Sequence, residues 1–136
     1  MNYTIGTTVK FETAHRQLGD DSKCGFLHGH NWKAEVTITA TNLNPIGYVI
    51  DFKRIKDVIN DSFDHKTLLN KNDPMVKLLI ESNQRVSPIL GNPTCEVLAE
   101  CVLDIIKMSI EKDVAIKNIT VKLFENDSSY AEVHFP

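Results

Sequence analysis

Two stretches of strict two-residue alternation constrain this chain more than any other feature. From Tyr3 to His15, Tyr3, Ile5, Val9 and Phe11 share one parity, and Thr4, Thr8, Lys10 and Glu12 share the other. From His30 to Ala40, Trp32, Ala34, Val36, Ile38 and Ala40 face one way, and Asn31, Lys33, Glu35, Thr37 and Thr39 face the other. Successive side chains of a strand point to opposite faces, so each stretch reads as a strand with one buried side. A chain that opens with two such strands must cover their common apolar face with something else.

The cover is legible further on. Asp51 is a helix-capping residue placed before Phe52, Ile55, Val58, Ile59 and Phe63 at helical spacing. Asn92-Pro93-Thr94 marks a second helix start, with Pro93 expected in the first turn and Val97, Leu98, Cys101, Val102, Ile105 and Ile106 as its buried stripe. Between them, the stretch from Asp64 to Gly91 is polar and irregular and contains Pro74 and Pro88. It reads as loop with a short helix near Val76 to Glu81. Ile116 to Phe124 and Tyr130 to Phe135 alternate again, joined by Asn126-Asp127-Ser128, a hairpin turn. The order ββααββ implies an α+β fold: an antiparallel four-stranded sheet with two helices on one face, in a single domain over 1–136. Its two open edges invite pairing with further copies, so a homo-oligomer is expected.

Bulk properties exclude several functional classes. A formal net charge of −3 argues against a nucleic-acid partner. No apolar run approaches the roughly 20 residues that cross a bilayer. The opening MNYTIGTTVKFE lacks a charged start and an apolar block, so no signal peptide is expected. Three cysteines at unrelated spacings do not form a disulfide framework, which points to a reducing, cytoplasmic setting.

The strand parity also carries chemistry. His15 continues the apolar face of the first strand, and His28 and His30 continue that of the second. Glu125 continues the face of Ile119, Val121 and Leu123. Burying such groups without partners is costly. Three histidines with one position left open is the pattern of a catalytic zinc, with Gly29 expected to leave room between His28 and His30; a chance His-x-His pair is the bland alternative. Cys24 lies four residues before His28. It can be a low-pKa base or nucleophile beside the metal, or a fourth ligand closing a structural site. Asp64-His65 can be an acid–base relay or merely a polar helix terminus. Glu125 can accept two hydrogen bonds from a guanidine-like ring edge, or pair with Lys122. Cys101 reads as core, His134 as surface, and Cys95 carries no assigned chemistry.

Six pieces then fall in the order of one known family: Phe11-Glu12-Thr13-Ala14-His15-Arg16, Cys24-Gly25-Phe26-Leu27-His28-Gly29-His30, Val49-Ile50-Asp51-Phe52, Asp64-His65-Lys66, Asn92-Pro93-Thr94 and Leu123-Phe124-Glu125. The chain resembles the 6-pyruvoyl-tetrahydropterin synthase family. Within it, the chain looks closest to the bacterial branch that makes 6-carboxy-5,6,7,8-tetrahydropterin for queuosine biosynthesis. The resemblance implies the tunnelling fold (T-fold), in which trimers join their sheets into a barrel and two trimers often stack. It implies one zinc per subunit on His15, His28 and His30. It makes Cys24 the general base, with Asp64 and His65 completing a relay. Glu125 and Thr94 would hold the pterin ring of 7,8-dihydroneopterin triphosphate. The product would be carboxytetrahydropterin with acetaldehyde and triphosphate. The alternatives are the pyruvoyl-forming enzyme on the same substrate and a non-catalytic pterin-binding or structural-zinc protein. Arg16, Lys23 and Lys66 are candidates for the triphosphate by charge alone, against a solvated surface role.

Overall fold

The computed structural model describes residues 1–136. β1 spans Tyr3–His15 and β2 spans His28–Ala40. They pair antiparallel along their whole length, from Tyr3 opposite Ala40 to His15 opposite His28. A short 3₁₀ turn, Lys23–Gly25, lies between them. Helix α1 (Phe52–Phe63), strand β3 (Lys66–Asn70), helix α2 (Met75–Glu81), strand β4 (Val86–Ile89), helix α3 (Cys95–Ser109) and strands β5 (Ile116–Asn126) and β6 (Ser129–Phe135) follow.

The strand order is β4-β3-β1-β2-β5-β6. The four strands expected from alternation form the antiparallel centre, with β5 between β2 and β6. The expectation of a four-stranded sheet with two helices is corrected to a mixed six-stranded sheet with three helices. β3 and β4 add to the β1 edge in parallel. They escaped detection because they are only five and four residues long and lie in polar surroundings. Pro88 sits inside β4, which is tolerable because β4 is an edge strand.

The core lies on the predicted parity. Trp32, Ala34, Val36 and Ile38 of β2 and Ile119, Val121 and Leu123 of β5 are all buried. α1 packs over β1 and β3 and adds Ile55, Ile59 and Phe63 to the same core, one residue per turn on a single stripe, while α3 lies over β5 and β6. Each such burial stabilises by about 1.5–3 kcal/mol. Asp51 caps this helix, its Oδ1 accepting from the Lys53 N–H at 2.9 Å. Phe52, expected on the stripe, is instead exposed. α3 buries Leu98, Ala99, Val102, Leu103 and Ile106. Val97, Cys101 and Ile105 flank that stripe, half-buried. The N-cap of α3 is Thr94, so Pro93 precedes the helix and is not in its first turn. α1 and α3 pack on one face of the sheet and against each other. No helix is long and apolar enough to cross a membrane.

One buried ion pair ties the β3–β4 addition to the centre. Arg16, just past β1, donates through Nε to Asp73 at 2.7 Å and through a terminal nitrogen to its other oxygen. The Asp73 side chain is wholly buried, and its Oδ1 also accepts from the Met75 N–H. Arg16 is therefore ion-paired with Asp73, a partner that neither of its sequence readings, triphosphate candidate or solvated surface charge, included. The guanidinium holds the Asp73 carboxyl below the usual carboxylate range, and Asp73 raises the Arg16 pKa. A depressed acid contributes its full stability above about pH 4 and loses it as pH falls through the folded-state value. Asp73→Ala leaves Arg16 unpaired and should cost roughly 3 kcal/mol at neutral pH in a denaturant melt. The difference from the parent should narrow as pH falls below the usual carboxylate range and through the depressed Asp73 value.

Candidate functional site

The antiparallel register of β1 and β2 sets His15 directly opposite His28, and Thr13 opposite His30. All three imidazoles lie on the helix side, where the parity placed them. Their ring centroids are 4.6 Å (His15–His28), 5.2 Å (His15–His30) and 4.9 Å (His28–His30) apart. One nitrogen from each lies within 4.8 Å of the other two. Trp32 forms the floor, edge-on to His15 and His30, and its Nε1–H donates to the Thr13 carbonyl at 3.1 Å. Gly29 turns out not to be needed for room: a Cβ there meets only the Thr13 carbonyl oxygen, at 3.8 Å.

Main-chain carbonyls orient two of the rings. His15 Nδ1 is 2.7 Å from the Pro93 oxygen, and His28 Nδ1 is 2.6 Å from the Phe26 oxygen. A carbonyl can only accept, so each Nδ1 carries the proton and each Nε2 keeps a lone pair. His15 Nε2 and His30 Nε2 are buried with no hydrogen-bond partner. Burial lowers the His15 pKa, helped by the neighbouring His28 and against the pull of the Pro93 carbonyl. The ring is thus held neutral, the ligating form.

Glu125 comes to the same place. Its carboxylate oxygens are 3.6 Å from His30 Nε2 and 4.0 Å from His15 Nε2, too long for hydrogen bonds. Lys122, the alternative partner, lies over the Phe124 and Tyr130 rings instead. The Thr94 hydroxyl accepts from the Val97 N–H at 3.2 Å as the cap of α3. Cys95, the next residue, donates its thiol to the Leu123 carbonyl at 3.2 Å, and burial pushes its pKa up to about 11. It is no nucleophile at neutral pH.

Cys24 is exposed on the 3₁₀ turn. Its N–H donates to the Ser22 hydroxyl and its carbonyl accepts from the Gln17 N–H. Gly25 closes this turn, because a Cβ there would lie 2.0 Å from the Asp20 carbonyl oxygen. The thiol itself hydrogen-bonds neither the histidines nor Asp64-His65.

Asp64 and His65 do meet each other, with Asp64 Oδ2 2.9 Å from His65 Nδ1. Asp64 Oδ1 accepts from the Glu12 N–H, and this bond, followed by His65, lowers the Asp64 pKa. His65 takes a positive φ of 55°, an uncommon conformation for a residue with a side chain. Its Nε2 stands 3.8 Å from the Glu12 carboxylate, on the parity opposite the core. An open cleft of about 960 Å³ runs past the strand ends, lined among others by Glu12, His30, His65, Lys66, Arg85 and Glu125. The chain thus groups His15, His28, His30 and Glu125, with His65, bonded to Asp64, further along the same cleft; Cys24 does not line that cleft. The carbonyls of Pro93 and Phe26 had no sequence signal, because any residue type carries a carbonyl. Lys66, a triphosphate candidate by charge, donates to the Asp61 carbonyl.

This chain is similar to known proteins. A 6-carboxy-5,6,7,8-tetrahydropterin synthase of Rickettsia bellii is 34% identical over 131 residues, covering 92% of this chain and 95% of that protein. One from Aquifex aeolicus is 28% identical, covering 97% and 98%. The structure of an uncharacterized protein from Wolinella succinogenes superposes with a TM-score of 0.77 at 20% identity, covering 100% of this chain and 99% of its own. At that identity the likeness speaks for the fold alone. The family described as 6-pyruvoyl tetrahydropterin synthase matches residues 4–135, nearly the whole of the six-stranded sheet and its helices. With the family model matched over nearly the whole chain and relatives at 34% identity, this chain belongs to the 6-pyruvoyl tetrahydropterin synthase family of enzymes.

Proposed function

We propose that this chain is a zinc-dependent lyase that converts 7,8-dihydroneopterin triphosphate into 6-carboxy-5,6,7,8-tetrahydropterin, acetaldehyde and triphosphate. The observation that carries the reading is the pair of buried, partnerless Nε2 atoms of His15 and His30 beside His28. His15 and His28, each with Nδ1 held by a main-chain carbonyl, and His30 beside them with a partnerless Nε2, make a donor set that fits a zinc ion. His15, His28 and His30 would hold one zinc. When bound, it supplies Lewis acidity to the hydroxyls of the substrate side chain.

The other groups supply recognition and proton transfer. Glu125, at the edge of the cluster, accepts from the 2-amino and N3 positions of the pterin, which fixes the side chain over the histidines. Thr94 supports the same ring, through its backbone where its hydroxyl is already the helix cap. Cys24 takes the side-chain proton, and Asp64-His65 passes it on. Since the Cys24 thiol makes no bond to Asp64 or His65 within one chain, we read the site as completed between subunits. The uncovered face of the sheet and its open β4 and β6 edges suit such an assembly. We read it as a homo-oligomer, a hexamer built of two trimers, in the cytoplasm. The queuosine branch is favoured by the names of the relatives and by the short Cys24-to-His28 spacing.

Incubation of zinc-loaded protein with 7,8-dihydroneopterin triphosphate, resolved by mass spectrometry, tests the assignment. Carboxytetrahydropterin together with acetaldehyde is the expected result. Pyruvoyltetrahydropterin without acetaldehyde would move the chain to the pyruvoyl branch. No conversion by zinc-loaded protein would favour a structural-zinc or pterin-carrying role.

A further inference from the structure

The orientation of His15 depends on a carbonyl, and that carbonyl belongs to a residue with little means of anchoring itself. Pro93 has no N–H and is buried. Its oxygen receives His15 Nδ1 at 2.7 Å and the Gln17 side-chain amide at 3.2 Å. What fixes Pro93 must therefore come from its neighbours in the chain. On the helix side, Thr94 caps α3. On the other side stands Asn92, whose carboxamide pairs with both main-chain groups of Leu18. Its Oδ1 accepts from the Leu18 N–H at 3.0 Å and its Nδ2 donates to the Leu18 carbonyl at 3.0 Å. The side chain thus imitates one rung of a β-ladder where no strand partner exists. Asn70, at the end of β3, donates a further 3.1 Å bond to the same Oδ1.

We infer that Asn92 is a positioning residue for the metal centre. It clasps the segment after β1 to the segment before α3, and so places the Pro93 carbonyl that keeps the His15 proton on Nδ1. The inference rests on the zinc reading above for its consequence in metal binding, but its structural core concerns His15 alone.

Two substitutions separate the parts. Asn92→Asp keeps the shape and the acceptor but replaces the donor, so the Leu18 carbonyl faces an oxygen. Asn92→Ala removes every bond. Outer partners of a metal-binding histidine usually affect affinity by about 10- to 100-fold, and Asn92 acts one residue further out. A loss near tenfold in zinc affinity, by chelator competition, is expected for both. The control is Asn44→Ala, which removes acceptor bonds to the N–H groups of Ile46, Gly47 and Tyr48. It should lower stability while leaving zinc affinity unchanged. The metal-free readout is nitrogen-15 NMR of the His15 ring at a pH where it is neutral. The parent should show the Nδ1–H tautomer, and the Asn92 variants a mixture of the two. Folded Asn92 variants with the parent's tautomer and zinc affinity would overturn the inference. If the parent binds no zinc yet the tautomer shifts as stated, the metal reading fails and the positioning role of Asn92 stands.

Discussion

His28→Ala should leave a folded protein that no longer retains zinc. Its affinity should fall by more than about 100-fold, beyond what outer partners of a ligand contribute. The ring is only half-buried, so its removal opens no cavity in the core. Turnover at low zinc should vanish with the metal and return in part when zinc is added in large excess. His15→Ala should lose the metal as well, with a second penalty. That side chain is 1% exposed and gives the Pro93 carbonyl the shorter of its two hydrogen bonds, so truncation loses a bond worth about 0.5–1.5 kcal/mol while Gln17 still donates to that carbonyl. The exposed His134, bonded to Thr120, is the control: His134→Ala should change neither metal content nor turnover. Metal content by elemental analysis and melting by circular dichroism read out all three.

Cys24→Ala separates the enzyme from the structural-zinc alternative. The thiol is exposed and makes no hydrogen bond, so the substitution should move stability by no more than about 0.5 kcal/mol. Zinc should remain at the parent's level, because the histidines provide the proposed ligands. Turnover should fall by about 10²- to 10⁴-fold, the usual worth of a positioned acid–base group. The loss should sit in kcat, with KM little changed, because the proposed substrate contacts of Glu125 and the histidines are left in place. If zinc and fold are lost together in Cys24→Ala, the cysteine is a ligand and the open-site reading fails. Gly25→Ala approaches the same question through the backbone. Its Cβ would collide with Asp20, so it should displace the Cys24 turn and lower kcat with the thiol still present.

The alternation of the long strands made their extent and their buried face legible. β1 runs from Tyr3 to His15, as the pattern indicated, and parity alone brought three histidines and Glu125 to one place. Parity works because a long strand with one buried face has a single acceptable register. The same logic had nothing to hold in the Asp64–Gly91 stretch. β3 and β4 are too short to show a period, and their pairing with β1 is a matter of tertiary contact. Charge alone left Arg16 open, since sequence cannot say that a buried Asp73 awaits it. Gly29 drew notice for lying between two histidines, yet it is Gly25 that has no space for a side chain. Asp64 and His65 are hydrogen-bonded as adjacency allowed, but neither bonds the Cys24 thiol, which adjacency could not have shown.

The most direct test of the central claim is a titration of turnover against zinc. Protein stripped by a chelator receives zinc in fractions of an equivalent, and both bound metal and rate are measured. The account predicts a rate that rises in proportion to bound zinc and levels off at one zinc per chain, with His28→Ala showing no rise over the same range. Full turnover in stripped protein holding less than about a tenth of an equivalent of any metal would contradict it.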